Sequence, residues 1–107
     1  MKTKKIEQIF SPPAPHMVGD GFRVHNFIPY GMSMERMSPF ILMDYNSKFY
    51  FPPTDKLRGV DVHPHRGFET VTIAYKGKVA HHDSSGNSGV IGEGDVQWMT
   101  AASGILH

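Results

Sequence analysis

The chain has 107 residues, eleven Lys and Arg against ten Asp and Glu, a formal charge of +1 with histidine neutral, and no cysteine. That length excludes a large enzyme with a separate cofactor domain. The charge balance gives no reason for a polyanionic partner such as nucleic acid, and the missing cysteines exclude disulfides, thiolate zinc sites and cysteine nucleophiles.

Hydrophobic residues at 39% and charged residues at 20% describe a globular chain in which eleven Gly and eight Pro favour many short strands. The first ten residues carry early lysines and Glu7 but no continuous apolar stretch, so they are neither a secretory signal nor a membrane span. A cytoplasmic protein is expected. Lys4 to Phe10 alternates as a short strand would, and Ser11 to Gly21, with three prolines and two glycines, reads as a loop. A period of two returns from Phe22 to Phe27. Ser38 to Tyr45 is a compact apolar run that fits a buried strand. Val60 to His65 is extended, since the residue before a proline is pushed out of helical geometry.

Phe68 to Tyr75 is rich in β-branched and aromatic residues and predicts a strand. Lys76-Gly77-Lys78 would turn it into a hairpin with Val79 to Ser84. Short strands follow at Val90-Ile91, at Val96 to Met99 and from Ile105 to the end at His107, separated by glycine-rich turns. Such spacing predicts an all-β sandwich or barrel. Trp98, in step with Val96, and the methionines Met32, Met34, Met37, Met43 and Met99 are expected in the core.

Chemistry concentrates in His63-Pro64-His65. Side chains two apart on a strand share a face, so these imidazoles are a natural pair of ligands for one divalent metal. Glu69 has the same parity and is a candidate substitute ligand, unless Gly67 breaks the register. His81 and His82 are adjacent, face opposite ways and cannot chelate together, so both read as solvent-facing or structural. His16 and His25 lack ligand-type spacing.

The run H-P-H-R-G-F-E-T-V-T (63–72), the run H-H-D-S-S-G-N-S-G-V-I-G-E-G-D-V-Q-W-M-T-A-A-S-G-I-L-H (81–107), M-S-P-F-I-L-M-D-Y (37–45) and Pro52-Pro53 closely resemble the pirin family of the cupin superfamily. The resemblance implies a cupin-type double-stranded β-helix, a jelly-roll barrel, with a metal in its mouth. The metal is usually Fe(II), with Zn, Mn, Ni, Co or Cu as alternatives. The metal ligands would fall on His63, His65 and His107, with a fourth, a glutamate, two positions beyond His107. Pirins are two-cupin proteins nearly three times this length, so residues 1–107 resemble an N-terminal cupin domain without its last strands.

Some pirins open the ring of quercetin with dioxygen, which implies a flavonol-like substrate and quercetin 2,3-dioxygenase activity. Others act as metal- or redox-responsive regulators that bind a protein partner. Without the acidic ligand, the chain is expected to be weakly active or inactive. A terminal His107 is expected to fray, and unpaired strand edges are expected to favour a homo-oligomer.

Overall fold

A computed structural model describes residues 1–107, which divide into two compact units, residues 1–60 and 61–107. In the first unit, β1 (His16–Val18), β2 (Phe22–Ile28) and β3 (Met43–Tyr45) form an antiparallel sheet in the order β1-β2-β3. β1 falls inside the stretch predicted as a loop and turns into β2 through Gly19-Asp20-Gly21, with Val18 opposite Phe22. Val24 and Ile28 of β2 are buried.

Lys4 to Phe10 is not a strand. It finds no ladder, its Ile6 is 80% exposed, and the Glu7 carboxylate is paired instead with the Arg36 guanidinium. Arg36 lies on the single turn α1 (Met34–Met37), capped by the Ser33 hydroxyl, which accepts from the Arg36 N–H at 3.3 Å. The apolar run 38–45 is not a buried strand either. Only β3 pairs, with β2 alone, at the edge of its sheet, and Phe40 to Met43 are exposed.

The turn between β1 and β2 is closed by the chain near Gly59. The Asp20 N–H donates to the Gly59 carbonyl at 3.1 Å, and the Gly59 N–H donates to Asp20 Oδ1 at 2.8 Å. Gly19 has φ +59°, and a Cβ there would overlap the Gly59 carbonyl oxygen. Gly19→Ala combines a left-handed backbone with a backbone collision and is expected to cost about 2–3 kcal/mol. A lowered denaturant midpoint at unchanged slope would register that loss.

The second unit is a nested antiparallel array. β4 (Pro64–His65) pairs with β9 (Ile105–Leu106), β5 (Glu69–Ile73) with β8 (Val96–Thr100), and β6 (Val79–His82) with β7 (Ser88–Ile91). The chain runs out along three strands and returns along the next three, as in a jelly roll. The predicted hairpin of Phe68–Tyr75 with Val79–Ser84 therefore does not form. Mutual hydrogen bonding of Ala74 with Gly94 and Asp95 prolongs the β5–β8 ladder, while Gly77, at φ +77°, hands the chain to the next pair.

Met99, Ala101 and Ile105 form a buried apolar cluster, with Ala74 and Ile91 also buried. Trp98 is not in the core: it is 65% exposed, opposite Val71 on the face it shares with Ile73 and Val96. Of the methionines predicted inside, Met99 is buried, Met32 and Met37 are half-buried, and Met34 and Met43 are exposed. The one-turn α1 is the only helix, so no helix is long and apolar enough to cross a membrane.

Candidate metal centre

His65 is placed by β4, whose ladder sets it opposite Ile105 of β9. One step outward, the His63 and His107 backbones bond each other twice, each N–H donating to the other's carbonyl at 2.9 Å. His107 is therefore tied down rather than frayed. A further clasp holds its strand from the other side. The Ser84 N–H donates to the Leu106 carbonyl at 2.9 Å, and the Leu106 N–H donates to Ser84 Oγ at 3.0 Å.

These ladders gather three half-buried imidazoles. His63, His65 and His107 each offer a ring nitrogen, all within 4.8 Å of one another. Ring centroids lie 4.7 Å apart for His63 and His65, and 5.8 Å from His107 to each of them. The Nδ1 of His63 meets the Asp61 carbonyl at 2.8 Å. Against a carbonyl it must donate, which leaves Nε2 as the lone pair for a metal. Phe68 packs edge-on to His65 at 5.3 Å and walls that ring.

Burial pushes the His65 pKa down, and the neighbouring charge of His63 adds to it. His107 is lowered by burial first, then by His63, His65 and His81, with Asp83 opposing. Both are thus held neutral at pH 7, the form that coordinates metal. Three convergent imidazoles suit a divalent ion with open positions.

Glu69 is not brought to this group. Gly67, at φ +78°, resets the chain, and Glu69 Oε1 accepts a hydrogen bond from the opposing Thr100 hydroxyl at 2.9 Å. His82 is exposed, as adjacency predicts, but His81 is half-buried, with its ring centroid 6.2 Å from that of His107. No ligand-type spacing marks His81, although alternation along β6 separates it from His82. His25 is structural: its ring nitrogens meet the Pro13 carbonyl at 2.8 Å and Ser47 Oγ at 2.9 Å. Asp83 is held by Ser85 and Asn87. Partial desolvation raises its pKa, but their N–H groups and the nearby His107 bring it below the usual carboxylate range.

Ser84→Ala would remove the side-chain half of the clasp and leave the backbone half. One hydrogen bond of this kind contributes about 1 kcal/mol. The expected result is metal affinity weakened about threefold in a chelator competition, with the folded baseline unchanged.

A family model described as Pirin matches residues 21–107. The chain belongs to the pirin family. A Pseudomonas aeruginosa pirin relative named "putative quercetin 2,3-dioxygenase" is 57% identical over 97% of this chain and 36% of its own length. A second protein of that name from the same organism is 45% identical over 87% of this chain and 32% of its own length. A crystal structure described as quercetin 2,3-dioxygenase from Acinetobacter baumannii superposes with a TM-score of 0.83 at 55% identity, covering 89% of this chain and 33% of the other. The chain thus spans about a third of the length of these pirin relatives. The nested strands are those of a cupin barrel, incomplete within these 107 residues.

Proposed function

We propose that residues 1–107 are an N-terminal cupin domain that binds one divalent metal, Fe(II), and belongs to a quercetin 2,3-dioxygenase-type pirin. The observation that carries this reading is the convergence of the His63, His65 and His107 ring nitrogens within 4.8 Å. The names of the similar proteins supply the substrate class, a flavonol-like aromatic.

When bound, the metal supplies the Lewis acidity and redox chemistry that opening a flavonol ring with dioxygen requires. The protein's part is orientation. Asp61 fixes the tautomer of His63, Phe68 restrains His65, and the pairing of His63 with His107 sets the third ring. A cleft of about 240 Å³ beside His81 carries Gln97 and Thr100 next to apolar Met99 and Ile105. Asp83, Ser85, Asn87 and Trp98 complete its lining, so the hydroxyls of a flavonol would meet polar groups there.

The test adds ferrous iron and quercetin without oxygen, admits air, and follows the flavonol absorbance. Turnover that disappears in His63→Ala supports the enzyme. Iron bound without turnover would point instead to a metal-responsive, partner-binding role or to a site incomplete within residues 1–107.

A further inference from the structure

We infer that His81 hydrogen-bonds the oxygen-donor ligand that occupies the open position of the His63–His65–His107 centre, a water, hydroxide or ionised aromatic hydroxyl. The inference rests on the metal-binding reading above and assigns that centre a fourth imidazole with a different task.

His81 lies on the half-buried face of β6, and its Nδ1 is buried without any hydrogen-bond partner. Leaving such a nitrogen unpaired is costly, so a partner for it is expected. The contrast with His25 and His63 is direct, because each of those uses Nδ1 on a backbone carbonyl.

The ring's position selects the partner. Gly89 stands opposite His81 in the β6–β7 register, and a Cβ there would sit 3.3 Å from His81 Nε2. The Nε2 edge therefore rests against the β7 backbone, and Gly89 leaves the room for it. Nδ1 is the other ring nitrogen, separated from Nε2 by Cε1, and it is the one left without a partner. The ring as a whole is 6.2 Å from His107, close to the 5.8 Å that separates His107 from each of the other two ligands. His81 is nevertheless outside the set of nitrogens that converge within 4.8 Å. A metal ligand would be inside that set. A group that binds what the metal holds stands one hydrogen bond farther out. The same ring borders the cleft that Gln97, Met99, Thr100 and Ile105 line, so a ligand held in that cleft lies against His81.

The test loads the protein with Co(II), whose visible spectrum reports the donor set, and titrates azide as the probe for the open position. His81→Phe and His81→Leu should take up Co(II) within twofold of the parent affinity with the same spectrum, yet bind azide about 10-fold more weakly. His81→Gln, which can still hydrogen-bond, should recover azide affinity to within about threefold. Azide affinity unchanged in the Phe and Leu variants overturns the inference. So does a changed Co(II) spectrum or lost Co(II) uptake in all three variants, which would make His81 a ligand or a structural support. A parent protein that takes up no Co(II) removes the metal-binding reading itself, and this inference with it. Normal Co(II) binding with azide indifferent to His81 removes this inference alone.

Discussion

Replacing His65 by alanine is expected to weaken divalent-metal binding by about 100- to 1,000-fold, measured by chelator competition with Zn(II) or Co(II). Three imidazoles converge on one point. Removing one leaves a two-ligand site, whereas loss of an outer partner of a ligand already costs 10–100-fold. His65 is the informative choice because its backbone, not its ring, pairs with Ile105 in the strand ladder. The main structural contact the ring gives up is its edge against Phe68. His65→Gln keeps most of that volume and should lose metal almost as completely. The control is His82→Ala. That ring is exposed on the other face of β6 and should leave affinity within twofold. An affinity in His65→Ala within threefold of the parent would remove His65 from the metal site.

The strands of the second unit were legible because β-branched and aromatic residues alternate and glycine turns separate them. Their partners were not. A turn such as Lys76-Gly77-Lys78 is locally compatible with a hairpin, and sequence neighbours pair more often than not. Here the competing choice is a ladder between β5 and β8, which sets Val71 opposite Trp98 and Ile73 opposite Val96. That matching is visible only when the two segments are laid side by side. Trp98 shows the same limit. Alternation says that Trp98 and Met99 face opposite ways, and only the packing decides that Met99 is the one covered.

In the candidate site, parity along the chain was sufficient to put His63 and His65 together, and the resemblance to pirins singled out His107. Glu69 shares that parity, yet one positive-φ glycine between the histidines and the glutamate redirects it to Thr100. Beyond the parity that separates His81 from His82, His81 and Ser84 left no short-range signal. One acquires its place from Gly89 across the β6–β7 ladder, and the other from Leu106, which lies 22 positions away.

Acidification should release the metal and destabilise the metal-free protein over the same range. His65 and His107 have pKa values below the ordinary histidine value in the folded chain, chiefly through burial. The unfolded chain has them near about 6.5. Between those limits the unfolded state binds more protons than the folded one, so stability rises with pH there. The contribution is in place above the unfolded value and is lost as pH falls through it towards the folded values. Asp83 does not offset this, because its lowered pKa keeps it charged throughout that window. Metal binding obeys the same sign. Each imidazole that must shed a proton before coordinating costs up to about tenfold in affinity per pH unit once pH is below its own pKa. Depressed values delay that onset, so affinity should change little from pH 8 to 7 and fall only once pH drops below the ordinary histidine range. Denaturant midpoints of the metal-free protein and Zn(II) competition at pH 8, 7, 6 and 5.5 would follow both effects. A midpoint that climbs as pH drops would mean that His65 and His107 are stabilised as cations, and their role as neutral ligands would then have to be abandoned.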